Sequence, residues 1–128
     1  MKPYIKKYGK KFKTYYYKDG EVRKLDEVDM DLAFYLMRYA KGKEKVINSG
    51  HLFERYGPSS MIRRRVHKLR LAGYPICSNT SGYYWANTAE ELEETYKFLV
   101  SYITELQQVA IGVLDSYIEL KYGSKKSD

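Results

Sequence analysis

The chain has 128 residues, 23 Lys and Arg against 16 Asp and Glu, a formal net charge of +7, and 15 tyrosines. That length suits one domain with appendages, and a hydrophobic content of 44% is too high for a chain disordered throughout. One Cys and two His (Cys77, His51, His67) exclude a disulfide framework and give no metal-ligand spacing. No apolar run reaches the roughly 18 residues of a transmembrane helix, and the basic start MKPYIKKYGKKFK has no apolar segment of a signal peptide, so a reducing cytoplasm is the expected compartment.

Residues 1–25 read as a basic, aromatic arm that ends in a hairpin. They carry nine Lys and Arg against Asp19 and Glu21, which equals the whole excess of positive charge. Lys6, Lys7, Lys10, Lys11 and Lys13 alternate with Tyr4, Tyr8, Phe12 and Tyr15. Lysines so placed suit a phosphate backbone, and an arm of this kind can order along a groove. The plain alternative is a solubilising tail whose aromatics dock on the body. Phe12, Tyr15, Tyr16 and Tyr17 favour a strand, Asp19-Gly20 is a tight-turn pair, and Val22 and Leu25 follow on the return.

Residues 26–87 read as the central body. A helix over 27–40 is predicted from Val28, Leu32, Tyr35, Leu36 and Tyr39, which fall on one stripe, with Asp26, Glu27, Asp29 and Asp31 at its N-terminal end. Lys41-Gly42-Lys43 ends it, and Val46-Ile47 is a short apolar pair. Asn48 or Ser49 then caps a short helix with Leu52, Phe53 and Tyr56 pointing inward. A tight turn at Tyr56-Gly57-Pro58-Ser59 leads to a helix that opens at Pro58 or Ser59 and runs to about Leu71, with Ile62, Val66 and Leu69 inward and Gly73 closing it. Ser59, Ser60, Arg63, Arg64, His67 and Arg70 are then expected outward. Between 55 and 70 there are six bases and no acid. A second hairpin follows, Tyr74–Ser78 returning as Tyr83–Ala86 through Asn79-Thr80-Ser81-Gly82, with Tyr84 or Trp85 in the core.

Residues 88–122 read as one long helix, opened by a Thr88-Ala89-Glu90-Glu91 capping box, and 123–128 as a frayed tail. Leu92, Tyr96, Leu99, Ile103, Leu106, Ala110, Val113, Tyr117 and Leu120 recur at alternating spacings of four and three, a sustained heptad. At about 1.5 Å per residue it spans roughly 50 Å, more than the body can cover. A homodimer through Leu99, Ile103, Leu106, Ala110, Val113 and Tyr117 is the economical expectation. The flanks hold Val100, Tyr102, Val109 and Leu114, so a bundle or antiparallel packing is favoured over a simple zipper. The alternative is a helix that folds back or breaks near Gly112.

The order helix, short strand, short helix, tight turn, basic helix, hairpin is that of a winged helix-turn-helix, so an α+β, mostly helical fold is expected. The stretch INSGHLFERYGPSSMIRRRVHKLRLAGYPICSNTSGYYWA, followed by TAEELEE, resembles the winged-helix segment of small DNA-binding proteins of bacteriophages and mobile elements of Gram-positive bacteria. The resemblance covers residues 45–95. It implies double-stranded DNA as the partner and a role in replication initiation or transcriptional regulation. In such a motif the second helix enters the major groove, here with Ser59, Ser60, Arg63 and His67 on the part that faces base edges, Ser59 and Ser60 with the free N–H groups of the helix start also suiting a phosphate, and Arg55, Arg64 and Lys68 toward backbone phosphates. The chain departs from the pattern at its wing, whose turn carries no Lys or Arg. The competing expectation is an interaction protein that binds and inhibits a host protein or nucleoprotein complex. Catalysis is not expected: there is no phosphate-binding glycine loop, nucleophile elbow or metal cluster. Neither cofactor nor metal nor membrane enters the expectation.

Overall fold

The computed structural model describes residues 13–123, which form two units divided after Thr95 inside the last helix. The first unit opens with a hairpin, β1 (Tyr15–Lys18) and β2 (Glu21–Lys24), with Tyr17 opposite Val22. Asp19 and Gly20 both take positive φ, 53° and 79°, the geometry a two-residue type I′ turn needs and an Asp-Gly pair tolerates. So small a hairpin is marginal alone. It docks through Tyr16 and Leu25, its inward-facing apolar residues. The Leu25 N–H donates to the Thr14 carbonyl at 2.9 Å, and the Tyr74 hydroxyl donates to the Lys13 carbonyl.

Helix α1 (Glu27–Tyr39) starts at a reciprocal cap. The Asp29 N–H donates to Asp26 Oδ1 at 2.7 Å, and the Asp26 N–H donates to Asp29 Oδ2 at 2.9 Å. Its buried residues are Asp29, Met30, Leu32, Ala33 and Leu36. The expected stripe is right at Leu32 and Leu36 and displaced elsewhere. Val28 and Tyr39 are exposed, while Met30 and Ala33 fill the interior. The helix is turned by its polar member: Asp29 faces inward to meet two cations, and the apolar side chains next to it follow. Tyr39 instead stacks on Tyr35, ring centroids 5.0 Å apart.

Beyond α1, a single 3-10 turn (Lys43–Lys45) sits in a segment that runs beside the second hairpin. Helix α2 (Ser49–Tyr56) is capped by Asn48, whose Oδ1 accepts the His51 N–H at 2.7 Å. Leu52 and Tyr56 are buried, but Phe53 is exposed, contrary to expectation. In a helix of about two turns only one residue per turn reaches the core. Helix α3 (Ser59–Leu71) follows, capped at Pro58 as the sequence suggests, and buries Ile62, Val66 and Leu69 as expected. β1 lies against it, as do α1 and α2.

Strands β3 (Ile76–Asn79) and β4 (Gly82–Trp85) form the second hairpin, with Cys77 opposite Tyr84 and both fully buried. Trp85 is half-buried. The segment before α2 adds to this sheet through isolated bridges. Ile47 and Tyr83 exchange two backbone bonds of 2.9 Å, and the Trp85 N–H donates to the Ala40 carbonyl at 2.7 Å. Gly82 makes this approach possible: a Cβ there would lie 2.1 Å from the Ile47 carbonyl oxygen.

Helix α4 (Ala89–Tyr122) opens at the expected capping box. The Glu91 N–H donates to Thr88 Oγ1, and Glu91 Oε1 accepts the Thr88 N–H, each at 3.2 Å. Within the first unit, Glu91 also accepts the Lys43 N–H at 2.8 Å, and Glu94 pairs with the Lys43 ammonium at 3.1 Å. Thr95 is buried, its Oγ1 accepting from the Ser78 N–H at 3.3 Å. The second unit is the remainder of this helix. It runs unbroken through Gly112 to Tyr122, the one long helix expected, and not the alternative of a break there.

Candidate functional site

Six cations between 55 and 70 arrive on two adjacent helices, and the structure sorts them into two sets. One set is engaged by acids or by backbone. Arg65 Nη1 donates to Asp29 at 2.8 Å and to Asp26 at 3.1 and 3.2 Å, while the Lys68 ammonium lies 2.7 Å from Asp29 Oδ2. Asp29 is fully buried and receives both cations, so it holds α3 against the N-terminal end of α1, with Asp26 as a second acceptor for Arg65. Arg55 pairs with Asp31, 3.0 Å from its Nε, and lies over the rings of Tyr35 and Tyr56 at 5.0 and 5.7 Å. Arg70 was expected outward. It is half-buried instead, donating from Nε to the Ile76 carbonyl at 2.8 Å and from Nη2 to Ser78 Oγ at 2.9 Å. Its position near the end of α3 brings it over the first residues of β3, which the periodicity of α3 alone does not reveal.

Electrostatics follow this division. Burial alone would raise the Asp26 carboxyl, but the Asp29 N–H and the Arg65 guanidinium together hold it below its ordinary 3.8. The bond to Asp31 favours charged Arg55. Burial disfavours charge on Arg70. The Tyr56 hydroxyl is pushed well up, first by burial and then by its bond to Asp31, to which it donates at 2.8 Å. These groups hold helices together; they are poor candidates for a ligand.

The other set is Arg63 and Arg64. Both are exposed, and neither pairs with an acid among the described residues. Ser60, Arg63, Arg64 and His67 sit three and four residues apart, so they share one face of α3. Ser59 and Ser60 are exposed in its first turn, where the Pro58 cap supplies no side-chain acceptor. Ser59, Ser60, Arg63, Arg64 and His67 are therefore brought together on the surface opposite Ile62, Val66 and Leu69. Arg55 and Lys68, read from sequence as phosphate contacts, are placed apart from this face by their acids.

The remaining predicted residues are distributed as follows. Lys13 is exposed; Lys6, Lys7, Lys10 and Lys11 lie outside the described residues. The tip of the second hairpin folds on itself, Asn79 Oδ1 accepting from the Ser81 and Gly82 N–H groups at 2.8 and 3.2 Å. On α4, Ile103, Leu106, Ala110, Val113 and Tyr117 are exposed and Leu99 is half-buried. Among the described residues no Cys, His, Asp and Glu cluster could hold a metal ion, and no helix is long and apolar enough to cross a membrane.

The acids that engage these cations are not evident from sequence. From sequence, Asp26, Asp29 and Asp31 read only as favourable charges at a helix N-terminal end. Their spacing carried part of the signal, since Asp26-x-x-Asp29 has the interval of a capping box. No feature of the sequence marks Asp29 as the counter-charge of a helix some 36 positions on. No family model, curated protein or solved structure matches the chain.

Proposed function

We propose that the chain is a winged helix-turn-helix protein of the phage type that binds double-stranded DNA, serving replication initiation or transcriptional control. The order α1, bridged segment 40–47, α2, α3 and the β3–β4 hairpin supports that architecture. The observation that carries the function is the split of the cations. Arg65, Lys68 and Arg70 seat the inner side of α3, while Arg63 and Arg64 stand exposed beside Ser60 and His67 and pair with no acid among the described residues. An arginine pair on the outer face of the second helix of such a motif is placed to meet guanine edges or phosphates in the major groove. Ser59, Ser60 and the free N–H groups of the first turn suit a neighbouring phosphate. Lys13 and the basic residues before it extend the charged contact.

The test is fluorescence anisotropy on duplex DNA chosen from random sequences, repeated across salt. Wild-type protein is expected to bind with a steep salt dependence. Arg63→Ala and Arg64→Ala are each expected to lower the salt slope by about 1 if the contact is to phosphate, or to weaken binding about 5- to 150-fold at one base position if it is to guanine. Binding without salt dependence, or unchanged by both substitutions, overturns the proposal. One observation favours a second reading, a scaffold that binds a host protein or nucleoprotein complex: the hairpin tip carries no cation and is closed by its own Asn79. A stoichiometric protein partner recovered after nuclease treatment, together with no selected DNA site, supports that reading.

A further inference from the structure

The second unit has no core of its own, because a single helix cannot cover its own apolar side. Fourteen large apolar side chains from Tyr96 to Tyr122 are 40–90% exposed. Together they present more than ~1,000 Å² of apolar surface, above the ~800 Å² per partner that a stable interface buries. Most of its polar residues fall instead on a strip that includes Ser101, Glu105, Gln108, Asp115 and Glu119, with Gln107, Ser116 and Lys121 at the margins of the apolar side. We infer that two copies of the chain associate through α4 in antiparallel orientation, with the twofold axis at the level of Gln108.

The register follows from side-chain size. In the heptad, Tyr96, Ile103, Ala110 and Tyr117 take one core position, and Leu99, Leu106, Val113 and Leu120 take the other. A parallel pair would stack like on like. Tyr96 would meet Tyr96 and Ala110 would meet Ala110, giving layers that run from two phenol rings to two methyl groups. Cores of uneven layers leave voids or strain. An antiparallel pair about Gln108 mates each position of one kind with one of the other. Tyr96 then meets Leu120 of the second copy, Leu99 meets Tyr117, Ile103 meets Val113, and Leu106 meets Ala110. Every layer pairs a larger side chain with a smaller one, and no core position is left over.

The flanks agree with this arrangement. Within one turn of level, Val100 comes beside Leu114, and Val109 beside Val109, of the second copy. The apolar flanking residues that would be out of place in a charged zipper thus widen the seam. Glu105 comes level with Ile111 rather than with another acid. Antiparallel alignment also sets the negative C-terminal end of each helix dipole beside the positive N-terminal end of the other. The inference concerns α4 alone and does not depend on what α3 binds.

Two measurements on the full chain without DNA test it. Light scattering at micromolar concentration is expected to give about 30 kDa, twice the 15.1 kDa of one chain, and Leu106→Glu to return the mass to that of one chain. Spin labels at Lys97→Cys, an exposed polar position, report orientation; Cys77 is fully buried and does not compete. An antiparallel pair about Gln108 places the labels about 35 Å apart, and a parallel pair under about 20 Å. A mass of one chain or of four, or a short label distance, overturns the inference.

Discussion

Replacing Asp29 is expected to be among the most damaging single changes in the first unit. In Asp29→Ala the Arg65 and Lys68 side chains, 15% and 21% exposed, lose the carboxylate that lies between them. Removing one partner of a buried ion pair costs about 3–5 kcal/mol. The lower end applies here, because Arg65 keeps Asp26 and Lys68 reaches some solvent. Losing half of the reciprocal cap on α1 adds about 1 kcal/mol. The total, about 4 kcal/mol, corresponds to a Tm lowered by at least ~15 °C for a unit of this size. Trp85 is the sole tryptophan and lies on β4, so its emission during heat or urea unfolding follows the first unit without contribution from α4. Asp29→Asn separates the two effects: the amide oxygen can still accept a cap bond, so the loss should fall to the charge part, about 3 kcal/mol. A loss under about 1 kcal/mol for Asp29→Ala would refute the idea that this carboxylate seats α3.

Gly82→Ala forces a Cβ against the Ile47 carbonyl, so either the bridge between the 40–47 segment and β4 opens or the protein does not fold. Loss of slow hydrogen exchange at the Ile47 and Tyr83 amides, each bonded to the other's carbonyl, is the expected sign, and retained protection there contradicts it. Asp26 titrates below its ordinary 3.8 in the folded chain, so its contribution to stability is complete above that value and disappears as pH falls through the lower, folded value. Acid unfolding of Asp26→Asn should therefore show a shallower pH dependence than wild type, and an identical acid limb argues against the assignment. Burial pushes the Cys77 thiol up, and it has no access to solvent. Alkylation in native buffer should be far slower than in urea; equal rates would mean that the second hairpin opens freely.

Local signals were legible because they act over a few residues. Asp19-Gly20 fixed a turn, Thr88 and Glu91 a helix start, and Ile62, Val66 and Leu69 a buried stripe, each by short-range geometry. The phase of α1 was not, because it depends on a partner in α3: Asp29 turns inward only where Arg65 and Lys68 await it. Phe53 was misplaced for a related reason, since so short a helix offers too little periodicity to separate an inward from an outward aromatic. The candidate face was legible as composition but not as selection. Sequence shows six cations in a row of sixteen residues; only the fold distinguishes the two that engage neither acid nor carbonyl among the described residues from the four that anchor elements to one another.

That division makes α3 a two-sided part with separable duties. One carboxylate on α1 serves as its mount, and the residues gripping that mount share no position with Ser60, Arg63, Arg64 and His67. Substituting these four leaves the anchoring contacts intact, so the outer surface can be reprogrammed for a different target while the fold stays constant. The same independence would let sequence drift alter what the face meets without a penalty in folding, provided that Asp29, Arg65 and Lys68 are left in place.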